Sequence, residues 1–294
     1  MAKNKISGSG INPNRFHISQ LKFFFILLPA LVFMLLPIIF IFSNAFKPVD
    51  ELFAYPPRFL VRKPTLNNFL RLFNTSVTSN IPVERYLFNS VVVTVVIIVL
   101  SIIIATFAGY VFSKKKFKGK AILFKINTLA LMFVPTAVSI PRYLIIEEMH
   151  LIDTFSVHIL PALAMPVGLF LIKQVIDDIP DSLIEAAQID GAGDLYILKG
   201  IIFPLVMPAI ATISILAFQV TWNSAETSSM YINNEAIKTF AYYMSVLVSG
   251  AGGNPIAGQG MSAAAGLIMF VPNLILFVAL QSRVMDTMVH SGIK

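Results

Sequence analysis

Few residue groups in this 294-residue chain have types and spacing that could carry chemistry, and each fails on its context. Asp177, Asp178 and Asp181 form an Asp-Asp-x-x-Asp run, the spacing with which diphosphate enzymes hold magnesium. That chemistry needs all three carboxylates on one helical face, and Pro180 inside the run spoils that geometry. No second acidic motif follows at a matching position. Gly258-Gln259-Gly260-Met261-Ser262-Ala263 fits the pattern of a dinucleotide-binding turn, but no strand precedes it. Gly119-Lys120 lacks the upstream glycine of a phosphate-binding loop. The histidines, His17, His150, His158 and His290, are scattered, and the absence of cysteine excludes thiolate ligands, thiol nucleophiles and disulfides. The expectation is a chain with no catalytic residue, no metal site and no cofactor of its own.

One stretch nevertheless organises the sequence. Ile179–Ile210 reads as a short polar helix, a glycine break and a return to apolar sequence. Pro180 ends what precedes it. Ser182 with Glu185 three residues on has the spacing of a capping box. Leu183, Ala186, Ala187 and Ala192 would give a small, flat face. Gly191 and Gly193 can stop the helix, and Asp194 can start the next one, which runs through Lys199 toward Pro204 and Pro208. Such a helix between two apolar runs is a shape for docking a partner on one side of a bilayer.

The elements around this stretch are membrane spans. The chain is 56% hydrophobic and 13% charged, with a mean hydropathy of +0.79, which excludes an ordinary soluble domain. Six apolar runs are expected to cross ~30 Å of hydrocarbon at ~1.5 Å per residue: Leu21–Phe42, Leu87–Phe112, Ile122–Ile146, Ile159–Val175, Ile201–Val220 and Ser262–Leu280. Pro135 and Pro141 are expected to interrupt the third. The first run has no signal-peptide cleavage site and reads as a retained span. The net charge of +7 sits largely in short loops beside spans, so it argues for positive-inside topology rather than nucleic acid. The densest cluster, Ser113–Lys120, marks the cytoplasmic side, with anionic lipid as a second reading. The segment from Lys47 to Arg85 carries six basic residues yet falls outside; longer loops obey the charge rule less strictly. Within it Leu66–Phe73 can form a short helix. Thr221–Met261 reads as a second external loop with a glycine-rich tip. The expected fold is an all-α polytopic membrane protein with residues 1–20 and 281–294 as cytoplasmic tails, 21–280 as the six-span unit, and a cytoplasmic polar helix between spans four and five.

Glu185-Ala186-Ala187, Asp190-Gly191-Ala192, Ile202, Pro204-Leu205 and Pro208 resemble the EAA loop, spanning 179–208 here, of binding-protein-dependent ABC importer permeases. The whole chain resembles the carbohydrate-type, maltose-permease-like members, including its ELFAYPPRF and PTLNNF segments. The resemblance implies a permease subunit in a bacterial cell membrane that forms half of a translocation pathway. It implies a second homologous permease, two ATPase subunits that use ATP and magnesium, an external or periplasmic solute-binding protein, and a sugar as substrate. It assigns ATPase coupling to Ser182, Glu185, Ala186, Ala187, Asp190, Gly191, Ala192 and Pro204. The alternatives are an ABC permease for a non-sugar solute, or a channel or secondary transporter without an ATPase. A proton relay is disfavoured, because no Asp or Glu lies at the midplane of the spans.

Candidate residues of the substrate pathway or binding-protein contact lie at the other end. Arg142, near an external span end, faces either a water-accessible vestibule or snorkels toward Glu147 or Glu148. Trp222 offers an apolar face for a sugar ring, with Asn223 beside it. By resemblance, the tip with Gly252, Gly253, Asn254 and Gln259 reaches toward the binding protein's sugar cleft, its glycines allowing close backbone approach.

Overall fold

The computed structural model describes residues 21–74, 81–249 and 255–291, and every regular element among them is helical. Helix α1, Leu21–Phe46, continues unbroken through Pro29 and Pro37. Helix α2, Asn67–Asn74, forms in the proline-rich segment where a short helix was expected. Its Asn68 is buried, and the side-chain amide donates to the carbonyls of Ala45 at 3.0 Å and Lys47 at 2.7 Å. Lys47 is itself buried and donates to Asn44 Oδ1 and to the Arg58 carbonyl. One of the six basic residues of this segment is therefore internal and no guide to topology.

Helix α3, Val83–Lys114, is a single rod of 32 residues, about 48 Å long at ~1.5 Å per residue. The elements that follow are broken. Helix α4, Lys120–Ala130, lies at 108° to the pair formed by the turn Pro135–Val138 and helix α5, Ser139–Glu148. Pro135 supplies no N–H and holds Val134 extended (φ −77°, ψ 130°), so the helix stops before it. Pro141 interrupts nothing, contrary to expectation. It stands in the first turn of α5, where no intrahelical N–H is required. Phe155–Leu163 meets helix α6, Pro166–Asp177, at 41°. Helix α7, Asp181–Ile189, is the short polar helix. Asp194–Leu205 then meets helix α8, Met207–Trp222, at 78°, with a π-turn at Leu198–Ile202 and the bend at Val206 between Pro204 and Pro208. Helix α9, Glu226–Tyr231, helix α10, Phe240–Val248, and helix α11, Pro255–Ser291, complete the described chain.

Three of these helices are long and apolar enough to cross a membrane: Phe23–Phe46, Val83–Lys114 and Gly258–Gln281. The number reaches six if each bent pair is one span. Helix α3 is central, packed on α6 and α8, while α1 packs on α11. A Cβ on Gly109 would lie 2.5 Å from Ile172 Cγ2, so α3 and α6 cross with no room for any side chain there. One apolar cluster joins Tyr110, Ile172, Ile176, Ile184 and Ile197 near α7. Another joins Leu72, Tyr86, Phe240, Tyr243 and Ala264 at the opposite end.

The segment read as an external loop is mostly structured. It contains α9, a turn at Glu235–Ile237 and α10, whose Phe240, Ala241, Tyr243 and Leu247 are buried. At nine residues α10 is too short to cross a bilayer, so a reading by span length passes over it.

Candidate functional site

Two regions hold the candidate residues, one at each end of α3. The first is α7 and its supports. Pro180 is the extended N-cap residue and Asp181 the first helical residue, so Ser182 stands inside the helix and no side chain caps it. The expected capping box does not form, because Pro180 starts the helix two residues before a Ser182 cap would. The acidic Asp181 instead faces the positive end of the helix. The C-terminus follows the expectation. Gly191 adopts φ +83°, its N–H donates to Gln188 O at 3.0 Å, and Ala192 N–H donates to Ala187 O at 2.9 Å. These are the two bonds of a Schellman motif. Asp190 is its C-cap residue, and its N–H donates to Ala186 O at 3.0 Å.

The face expected from Leu183, Ala186, Ala187 and Ala192 divides. Ala187 and Ala192 lean on the core beside buried Ile184, whereas Leu183, Glu185 and Ala186 point outward. Exposed Ile189 (86%), Leu195 (70%) and Tyr196 (69%) extend that outward surface. Reading the sequence for small residues misses these three; large apolar side chains on the polar faces of a nine-residue helix and its exit are the signal that marks them. Pro204 is exposed and lies at the bend of the following span rather than on α7.

Two lysines of the basic cluster hold this unit. Lys114 Nζ donates to Asp181 Oδ1 at 2.7 Å and to Ile179 O at 2.5 Å. Lys115 Nζ donates at 2.5 Å to Asp194 Oδ1, which also accepts from Tyr110 OH at 3.1 Å. The hydrogen bond from Lys114 holds the Asp181 carboxyl below the usual carboxylate range. Neither pairing leaves a local sequence pattern, since its partners stand 67 and 79 residues apart.

The second region is a cavity of about 610 Å³ lined by Arg142, Thr221, Ser224, Glu226, Thr227 and Tyr231 over apolar walls. Arg142 Nη1 lies 3.8 Å from Glu226 Oε1, so its ionic partner is Glu226 and not Glu147 or Glu148. Trp222 departs from expectation. It is 5% exposed, stacked on Phe218, and its indole N–H donates to Met269 O at 3.0 Å. No face is left for a sugar ring. Asn223 is exposed and donates to Gln219 O, and Gln259 is exposed on α11. Gly252, Gly253 and Asn254 lie outside the described residues.

Beside the cavity, the first turns of α3 hold residues 235–240. Arg85 Nε donates to Ala236 O at 3.1 Å, and Tyr86 OH to Glu235 Oε2 at 3.0 Å. The Asn89 amide donates to the carbonyls of Ala236 and Lys238, both at 2.9 Å. Ser90 Oγ accepts from Phe240 N–H at 2.8 Å.

A bundle of apolar helices, three of them long enough to cross a bilayer, with a short exposed polar helix at one end, defines a multi-pass membrane protein. Residues 18–282 match the family of the binding-protein-dependent transport system inner membrane component, and the chain belongs to that family. It is 26% identical over 283 residues to the inner membrane ABC transporter permease protein YcjP of Escherichia coli K12, covering 96% of this chain and 99% of that one. It is 27% identical over 270 residues to the polygalacturonan/rhamnogalacturonan transport system permease protein YtcP of Bacillus subtilis 168, with 88% and 92% covered. The crystal structure of a bacterial ABC transporter involved in the import of the acidic polysaccharide alginate shares the fold. Its TM-score is 0.73 at 21% identity, over 91% of this chain and 98% of that chain.

Proposed function

We propose that this chain is one permease subunit of an ATP-driven importer for a sugar or oligosaccharide, and that α7 is its coupling helix. The observation that carries the reading is α7 itself: a short helix, terminated by a Schellman motif, that buries Ile184 and presents Leu183, Glu185, Ala186 and Ile189 outward. An exposed apolar surface of this kind fits a groove on a partner. In this reading each bent pair is one span, giving six, and both termini are cytoplasmic. A second permease completes the pathway, two ATPase subunits supply ATP hydrolysis with magnesium, and a solute-binding protein delivers substrate. Glu185 meets the ATPase, and Gly191 and Asp190 fix the turn that follows. Arg142 lines the solute path. The sugar assignment is supported by relatives named for polygalacturonan/rhamnogalacturonan and for arabinooligosaccharides.

The test is affinity purification of the chain from its own membrane, then reconstitution with the recovered binding protein. Expected are co-purifying ATPase and second permease subunits, with ATP-dependent uptake of the oligosaccharide eluted from the binding protein. Recovery without an ATPase, or uptake that ignores ATP, overturns the reading. Arg142→Ala is expected to lower uptake with complex abundance unchanged; parent-level uptake removes Arg142 from the path.

A further inference from the structure

Helix α3 grips one candidate region at each end, and nothing interrupts it between. Its last residue, Lys114, is helical and reaches Ile179 and Asp181 at the start of α7. Lys115 is already extended (φ −101°, ψ 149°) and turns its side chain to Asp194, beyond the far end of α7. Adjacent lysines thus bracket the helix that chain connectivity joins only to the fourth and fifth spans. The Lys114 side chain is 9% exposed whereas that of Asp181 is 76% exposed, so salt reaches the ion pair from one side only, and the bond to Ile179 O anchors the enclosed ammonium independently of it. Five residues before the end of α3, Gly109 lets α6 seat without a gap. At the other end, Tyr86, Asn89 and Ser90 bind three successive stations of residues 235–240. The bent third and fifth spans lack this property, since each changes direction within the bundle by 108° and 78°.

We propose that Lys114 and Lys115 are positioning residues that lock α7 onto α3, and that α3 carries the displacement of α7 as a rigid rod to residues 235–240 at the opposite end. The inference rests on the reading of α7 as the ATPase-docking helix. A packed helix with discrete anchors moves as a body, because close-packed interfaces do not deform continuously. The fifth span takes up the difference at Val206, where its backbone already leaves helical geometry (φ −90°, ψ 6°).

The chain contains no cysteine, so paired spin labels can be placed by Ser182→Cys on α7 and Ala236→Cys at the far end, where the backbone carbonyl that α3 binds is kept, in the assembled transporter. The label distance is expected to stay the same between the nucleotide-free complex and one trapped with ATP and vanadate. In Lys114→Met the distribution should broaden and shift, and Lys114→Arg should restore it. A parent distance that changes on trapping overturns the rod; a Lys114→Met distribution equal to the parent overturns the lock. Binding-protein-stimulated ATP hydrolysis is the second readout. Lys114→Met should retain its ATPase subunits and its half-saturating binding-protein concentration, while the maximal stimulated rate falls about fivefold or more, the low end of coupling between linked sites. A loss confined to the amount of complex, with the rate per complex unchanged, overturns the positioning role. Glu185→Lys separates the two claims. If it keeps its ATPase and normal stimulation, the docking reading fails, whereas failure of the Lys114 arms alone leaves docking standing.

Discussion

At one end α3 holds its neighbours mainly through charged lysine side chains; at the other, buried neutral Asn89 and Ser90 hold them, with Tyr86 on the Glu235 carboxylate and Arg85 on Ala236 O beside them. Lys115 and Asp194 are 37% and 57% exposed in their side chains, whereas Asn89 is 1% exposed and Ser90 4%. Exposed ion pairs contribute little and weaken with salt. Buried amide-to-carbonyl bonds contribute modestly when formed, but leave costly unpaired groups when one partner is removed. At the α7 end the exposed Lys115–Asp194 pair is therefore the more replaceable anchor, and largely buried Lys114, bound to Ile179 O as well as Asp181, the less replaceable one. The opposite end is built to be specific and intolerant of change.

The largest expected effect comes from forcing α6 off its seat on α3, near the α7 end. Gly109→Val places methyl groups where even a Cβ meets Ile172 at 2.5 Å. Overpacking of this kind costs about 1–3 kcal/mol or more, and the purified complex should show a clearly lowered Tm. Next, Asn89→Ala leaves the Ala236 and Lys238 carbonyls without their shared donor. A loss of about 1–3 kcal/mol is expected, read as faster proteolysis within residues 231–240. Gly191→Ala tests the α7 end through its backbone. At φ +83° an alanine costs about 1 kcal/mol. Binding-protein-stimulated ATP hydrolysis should fall while membrane abundance stays near the parent level. Gly191→Pro should be worse, because its φ is fixed near −65° and its N–H is lost.

The smallest effect sharpens the electrostatic half. Asp181 has its folded-state pKa lowered by Lys114, so its contribution is in place above the ordinary carboxylate value of about 3.9 and disappears as pH falls through the lowered value. A spin label at Ser182→Cys should report unchanged mobility from about pH 8 to about pH 5, with release only below the ordinary carboxylate range. Asp181→Asn should show raised mobility already at neutral pH. Release in the parent near neutral pH would contradict the assignment.

What the sequence discloses follows the same division. The first, second and last spans are uninterrupted apolar runs and are plain from hydropathy. Gly191 and Asp194 mark the end of α7 and the start of the return because those conformational demands are local. The breaks at Pro135 and Val206 are marked by prolines, but no local rule gives their angles or says that Pro141 is harmless. Ser182 was misread because the capping-box spacing is present while Pro180 fixes the start. Trp222 stands at the helix end where the sequence puts it, but its burial is not legible there, because Met269 O and the cover of its ring depend on how α8 meets α11. The Lys114–Asp181 and Asn89–Ala236 contacts are tertiary: residues 67 and 147 positions apart carry no periodicity that names one another.

Helix α1 has a consequence for how the protein is made. The apolar length of α1 is 0% buried, and its principal neighbour within the chain is α11. Helix α1 is synthesised long before α11 and waits for it before it gains that seat, and contacts of such sequence separation form late. Until α11 is made, Asn68 lacks the close cover of Gly260, and a ribosome stalled before Pro255 leaves a bundle with an unclosed seam. Such an unfinished bundle exposes surface to membrane quality control, and truncation ahead of α11 should lead to degradation of the whole chain rather than to a stable fragment.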